Sequence, residues 1–193
     1  PTESRGLGDV YKRQPMTLQN IEVILGSESV LYGSDAIGGV MNFYTKTPLL
    51  LETSNKKINS NISSRYSTAA SEKMYHFDIA YSTKKISFLF SITQSSFGDL
   101  RMGSNGPTDY LRENYVVTSY DDEDIIVENF DSKIQKFTAY KQLNFMQKIF
   151  YQPNENLKFD FGIHFSKTNN IPRYDRLIIQ DENESFMFSE WYY

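Results

Sequence analysis

Few side chains in this sequence can do chemistry, and their types limit what that chemistry could be. His76 and His164 are its only histidines, and it has no cysteine. An imidazole can act as a general base or ligate a metal such as haem iron. A catalytic site needs a nucleophile, a base and an orienting group within reach of one another. With two histidines and no thiol, none of the usual sets is visible, and an enzyme is not expected. The lack of cysteine also removes disulfides and thiolate metal sites. An acidic run, Asp121-Asp122-Glu123-Asp124, offers oxygen ligands of the kind calcium takes. No glycine hinge accompanies it and apolar Ile125-Ile126-Val127 follows at once, so a solvated loop is the expected role. Arg101, Arg112, Arg173 and Arg176 fall in loop-like stretches, where they can attract an anionic ligand or a partner protein, or simply solvate the loops.

The elements that would carry these residues read as strands. The net charge is −4 and the sequence pI about 5.3, which argues against a nucleic-acid partner. Aromatics are 15% of residues, with 14 Tyr and 14 Phe, yet the mean hydropathy is −0.50. Such a chain must alternate its apolar residues rather than cluster them. No apolar run reaches the roughly 18 residues of a membrane helix, and no signal-peptide pattern opens the chain.

Alternation is found five times. Ile58, Ile62 and Tyr66 share one parity. Tyr75, Phe77, Ile79 and Tyr81 alternate with His76, Asp78 and Ala80. Ile86, Phe88, Phe90 and Ile92 alternate with Ser87, Leu89 and Ser91. Phe145, Ile149 and Tyr151 lead to a turn at Pro153-Asn154-Glu155-Asn156. Leu157, Phe159, Phe161, Ile163 and Phe165 then alternate with Lys158, Asp160, Gly162, His164 and Ser166. Each apolar face is about 9–11 residues long, the length of a tilted membrane strand. Tyr66, Tyr81 and Tyr151 sit at the face ends, as in an interfacial girdle. Both histidines fall on the polar parity, where a hydrogen-bonded role is the ordinary one. Short turns alternate with longer connections, the longest near residues 98–141, as in outer-membrane barrels, with one exception: the first hairpin's outer loop, Ala69–Glu72, is short. A soluble β-sandwich explains the alternation as well, but accounts less readily for the long strands, the long loop and the aromatic density.

Upstream, Leu18–Leu25 reads as a strand, and Glu28–Leu31 as one helical turn with Ser27 as its N-cap. A turn with Gly33, Gly38 and Gly39 follows, then a strand from Val40 to Lys46. This is not a phosphate loop, because no Lys-Ser or Lys-Thr follows the glycines and a strand comes next. The whole stretch "IEVILGSESVLYGSDAIGGVMNFYTK", Ile21–Lys46, resembles the end of the plug domain in TonB-dependent outer-membrane receptors, which runs "IEVLRGPxSxLYGxxAxGGVINIxTK". Glu22, Gly26, Tyr32, Gly33, Gly38, Gly39 and Asn42 are among the matching positions. The resemblance departs at Leu25 and Ser27, where the family has a basic residue and a proline. The basic residue commonly joins Glu22 in plug–barrel ion pairs, so that latch lacks its cation here. More weakly, "GDLRMGSNGPTDYLRENYV" (Gly98–Val116) and "IPRYDRLI" (Ile171–Ile178) resemble segments of Bacteroidetes-type receptors, several labelled haem, haemoglobin or transferrin receptors.

The resemblance implies an all-β membrane fold, the N-terminal part of a large antiparallel transmembrane barrel with the end of an α+β plug. Residues 15–50 would be plug, and 51–193 about the first five of some 22 strands. Residues 1–14, with "GDVYKRQ" at Gly8–Gln14, resemble a translated sequencing-adapter scar and are set aside. The implied function is active transport of a ferric siderophore or haem across the bacterial outer membrane. Ligand would bind at outer loops and plug, with Arg101, Arg112, Arg173, Arg176, His76 and His164 as candidates. TonB with ExbB and ExbD would supply the energy. The other implied partners are membrane lipid, a small iron-containing ligand and a haem-carrying protein. No resident cofactor, metal or nucleic acid is expected. Five strands cannot close a barrel, so their edges would make the chain prone to aggregate in water.

Overall fold

The computed structural model describes residues 15–26, 29–33, 38–53, 55–118, 124–180, 186–189 and 191–192. They form a mostly antiparallel β structure. The adapter-like stretch, Ser27 and the Asp121–Glu123 part of the acidic run lie outside the described residues.

A 3-10 turn at Pro15–Thr17 leads into β1 (Leu18–Leu25). A single helical turn, α1 (Ser29–Tyr32), precedes β2 (Gly39–Thr45). β1 and β2 pair antiparallel, with Glu22 opposite Asn42 and a register shift between Leu18 and Asn20. The strands β3 (Lys57–Ser67), β4 (Glu72–Ser82) and β5 (Ile86–Phe97) follow through short turns. At the second turn Thr83 is the organiser. Its Oγ1 accepts from the amide of Ile86 at 3.0 Å, and its own amide donates to the Ile86 carbonyl at 2.8 Å.

The segment after β5 is not bare loop. It holds β6 (Leu100–Arg101), β7 (Asn114–Thr118), β8 (Asp124–Glu128) and β9 (Ile134–Gln135). β6 pairs with β9 and β7 with β8, both antiparallel. The β7–β8 ladder is built from Tyr115-Val116-Val117 and Ile125-Ile126-Val127, runs of aromatic and β-branched residues that favour strand without alternating. β10 (Tyr140–Asn154) and β11 (Leu157–Thr168) complete the long strands, and a second helical turn, α2 (Tyr174–Leu177), follows. β10 passes through Pro153, which the sequence reading assigned to the turn. Proline is tolerated this close to a strand end, and Asn154 Oδ1 then caps the turn by accepting from the Asn156 amide. The long strands form one sheet in the order β11-β10-β5-β4-β3.

The chain divides into two compact units. One takes Pro1–Ile62, His76–Ile92 and Asn144–Phe165; the other takes Ser63–Tyr75, Thr93–Leu143 and Ser166–Tyr193. Each long strand contributes residues to both.

In the first unit the burial is inverted relative to a water-soluble sheet. Ser87 and Ser91 are 0% exposed. His76 and Asn144 are buried beside them, with Leu89, Met146 and Phe150. The opposite parity carries an aromatic row: Phe77 and Phe90 lie 6.2 Å apart, and Phe90 meets Phe145 edge-on at 5.4 Å. Tyr151 stacks with Phe159 on the same side. On the outer strands β11 and β3 both parities are largely exposed, with Phe159, Phe161 and Phe165 each about half exposed and Ile62 81% exposed, so the asymmetry is carried by β4, β5 and β10. The second unit shows the same inversion at Glu72, Thr93, Ser95 and Gln142, all buried. On β4, β5 and β10 the buried parity thus packs hydroxyls and amides among Met74, Leu89, Met146 and Phe150, while Phe77, Phe90 and Phe145 on the other parity are only half-buried, a placement that water alone does not select.

Candidate functional site

Three of the motif residues meet through side chains. Glu22 on β1 and Asn42 on β2 are directly paired across the ladder, which places both on one face. Asn42 Nδ2 donates to Glu22 Oε2 at 3.3 Å and to the Tyr32 hydroxyl of α1 at 3.2 Å. Tyr44, which the sequence reading did not single out, sits two residues along that face and donates its hydroxyl to Glu22 Oε2 at 3.0 Å. The Glu22 carboxylate, first by accepting this bond and then by its charge, raises the Tyr44 hydroxyl above its ordinary pKa. Among the described residues the Glu22 carboxylate takes its bonds from Asn42 and Tyr44, not from an arginine or lysine. Leu25, where the resemblance calls for a cation, is 83% exposed.

The glycines divide by role. Gly39 has φ +150°, and a Cβ there would lie 2.7 Å from the Ile24 carbonyl oxygen, so side-chain-free backbone is what lets β1 and β2 close. Gly26 and Gly33 have φ of +116° and +95°. A Cβ on Gly38 would meet nothing within 4 Å, so its site places no steric demand.

A second cluster lies where β2 ends. Lys46 Nζ is 2.8 Å from Asp78 Oδ2 on β4, and the same oxygen is 2.9 Å from His76 Nε2. Side-chain exposures are 33% for Lys46, 13% for Asp78 and 1% for His76. Lys148 of β10 adds a further tie, donating to Thr45 Oγ1 at 2.7 Å. Two cations therefore join the N-terminal hairpin to the sheet, Lys46 through an ion pair with Asp78 and Lys148 through a hydrogen bond to Thr45. His76 is a buried member of this network and not a loop residue poised for a ligand. His164 lies exposed on β11.

The four candidate arginines belong to the second unit. Arg101 pairs with Asp131 at 2.6 Å. Arg112 donates to the backbone carbonyls of Asp109 and Leu111, and through Nε to the Tyr174 hydroxyl at 3.1 Å. Burial raises the pKa of that hydroxyl, while the Arg112 charge works against the rise. Arg173 grips Asp175 through two bonds, at 2.8 and 3.3 Å. That bond, ahead of the opposing effect of burial, holds the Asp175 carboxyl below its usual range. Arg176 lies 5.7 Å from the Trp191 ring. Arg112, Arg173 and Arg176 thus gather around α2, whereas Arg101 is engaged elsewhere. Arg101, Arg112 and Arg173 are committed to intramolecular bonds.

The same region has a cleft that no spacing in the sequence announces. Arg112, Tyr115, Val116, Phe137, Tyr174 and Phe188 line one part of it. Phe137 meets Tyr115 edge-on at 5.6 Å, and Phe188 meets Trp191 edge-on at 4.8 Å. These residues come from three distant segments, so only the fold assembles them. Among the described residues no group of three or more His, Asp and Glu could hold a metal ion. No protein-family model matches the chain, and no solved structure matches it.

Proposed function

We propose that these residues form the end of the plug and the first strands of the barrel of a TonB-dependent outer-membrane transporter, and that the protein imports a ferric siderophore or haem. The observation that carries this reading is the inverted sheet. Its outward parity is a band of Phe, Ile and Tyr, and its inward parity holds Ser87, Ser91, Thr93, Ser95, Gln142 and Asn144, all buried. Such a surface is stable against hydrocarbon and costly in water. A soluble β-sandwich would need its apolar faces fully covered by one another, and here Phe77, Phe90 and Phe145 are only half-buried while Phe159, Phe161 and Phe165 are exposed. No helix among the described residues is long and apolar enough to cross a membrane, which leaves strands as the spanning elements of this reading.

The hairpin supports the same reading. The hydrogen bonds among Glu22, Tyr32 and Asn42 give the motif residues a shared reason to occur together. On this proposal TonB, driven through ExbB and ExbD, pulls on the plug, and the ties at Lys46 and Lys148 hold the hairpin to the wall until it does. Loops carrying the arginine-rich α2 region face the outside and meet the ligand. The test is uptake. The gene containing these residues would be expressed in a bacterium stripped of its own iron receptors, and cell-associated iron measured with labelled ferric siderophores and with haem. TonB-dependent accumulation of one ligand is expected. Surface delivery and correct folding without accumulation of any of them would overturn the reading.

A further inference from the structure

A recess that adjoins the cleft at Arg112 and Tyr174 in the second unit, sharing Val116, Phe137, Leu177 and Ser189 with it, has the dimensions of one aromatic ring. It has a volume of about 150 Å³, and Val116, Phe137, Trp191 and Tyr192 form its apolar wall. An apolar cavity of roughly 150 Å³ admits benzene. Phe137 makes the recess at a conformational cost. It is a bulky residue at φ +64°, a backbone region that such side chains avoid, and such strain persists only where the surroundings fix it. Asp99 does the fixing: its Oδ1 accepts from the amides of Thr138 and Ala139 at 2.9 and 3.1 Å. The ring is nevertheless 38% exposed, as is that of Trp191, so the strain presents an aromatic face instead of burying one.

The recess has one polar margin. Thr118 Oγ1 donates to Ser189 Oγ at 2.9 Å, and both residues line the space. Thr118 Oγ1 is also 3.3 Å from Asp124 Oδ1, a carboxylate that competes for its one hydrogen; in either arrangement Ser189 Oγ keeps a lone pair to accept from a ligand hydroxyl. Among the described residues no charged side chain lines this recess, and the Asp124 carboxylate that Thr118 also contacts disfavours an anion, so a neutral ligand fits best.

We propose that the recess is a binding site for a single neutral aromatic ring bearing a hydroxyl, the ring against Phe137 and Trp191 and the hydroxyl on the Thr118–Ser189 pair. The inference concerns binding alone and holds whether or not the protein is a transporter.

Trp191 is the chain's one tryptophan, so its emission reports on the site directly. The full chain, folded in detergent micelles, would be titrated with phenol, with cyclohexanol and benzoate as comparisons and N-acetyltryptophanamide in the same micelles as the blank. Saturable quenching by phenol is expected, at least tenfold tighter than any effect of cyclohexanol or benzoate. Val117 also lines the recess, and Val117→Phe, which would fill it, is expected to weaken the quenching tenfold or more. Phe137→Leu, a milder change, should weaken it several-fold with the far-UV circular dichroism unchanged, so that a misfolded Val117→Phe chain would not decide the matter. Linear quenching that matches the blank, equal binding of cyclohexanol, or full phenol affinity in Phe137→Leu would each overturn the proposal.

Discussion

Replacing Asp78 by alanine removes one carboxylate oxygen that two partners share. The Lys46 bond at 2.8 Å is charge-assisted, a type with a net value of about 1.5–3 kcal/mol. Lys46 is one-third exposed, so solvent recovers part of this, and about 1 kcal/mol is a fair figure. The His76 bond at 2.9 Å involves a side chain only 1% exposed, and losing it costs about 1–2 kcal/mol. The two arms act in different places. His76 and Asp78 both lie on β4, so their bond stabilises the strand, whereas Lys46 ties the end of the β1–β2 hairpin to it. Amide hydrogen exchange, followed by mass spectrometry on the chain in micelles, separates them. Asp78→Ala should speed exchange across β1 and β2 about fivefold, the equivalent of about 1 kcal/mol. It should also lower the unfolding free energy by about 2–3 kcal/mol. Lys46→Met should give the same fivefold effect in the hairpin and leave the β4 amides nearly as protected as before. If hairpin exchange stays within twofold of the parent in both variants, Lys46 is not a tie and the reasoning is wrong.

Three further outcomes follow from the same geometry. Because Glu22 raises the Tyr44 hydroxyl above its ordinary pKa, the folded state holds that proton more firmly. The stabilising effect is fully present below the unfolded pKa and is lost as pH rises through the folded one. A difference ultraviolet titration of the parent against Tyr44→Phe should place this tyrosine above the free value, and Glu22→Gln should bring it back down. Gly39→Ala would drive a Cβ to 2.7 Å from the Ile24 carbonyl. It should open the β1–β2 pairing, seen as faster exchange there, whereas Gly38→Ala, which meets nothing within 4 Å, should do so far less. Asn129 is buried and its Nδ2 donates to the carbonyls of Arg112 and Ile134 at 2.8 and 2.9 Å, so Asn129→Ala should cost about 1–3 kcal/mol, measured by denaturant unfolding of the chain in micelles.

The legible part of this fold was the part with a period. β1 has the bounds that Ile21, Val23 and Leu25 implied, and β5 and β11 begin at Ile86 and Leu157, where alternation begins. Period two is a local property of the chain, so it survives without tertiary information. β7 and β8 escaped because Tyr115-Val116-Val117 and Ile125-Ile126-Val127 do not alternate, and a short apolar run does not declare its partner. The start of β10 at Tyr140 escaped because Lys141, Gln142 and Asn144 read as loop residues when taken alone. At the hairpin, the motif named Glu22, Tyr32 and Asn42 but not Tyr44, whose part depends on cross-strand register. His76 and Asp78 stand two apart on one parity, so their meeting was readable. That Lys46 would reach the same oxygen was not, since 32 residues separate it from Asp78. The arginines were found as a class, but their partners Tyr174, Asp175, Asp131 and Trp191 come from contacts that spacing does not encode.

The most direct test of the account asks where β11 meets lipid. The chain has no cysteine, so single cysteines can be placed at successive positions along Leu157–Ser166, spin-labelled, and examined in lipid vesicles with oxygen and a water-soluble nickel complex as relaxing agents. Both parities of this strand are exposed in the structure, so exposure alone does not decide the result. Lipid-facing apolar residues predict alternation: labels at 157, 159, 161, 163 and 165 relaxed by oxygen, and those at 158, 160, 164 and 166 by nickel. Equal access of the nickel complex to both sets, with the chain bound and folded, would mean that the Phe and Ile face does not meet the bilayer and would contradict the outer-membrane reading.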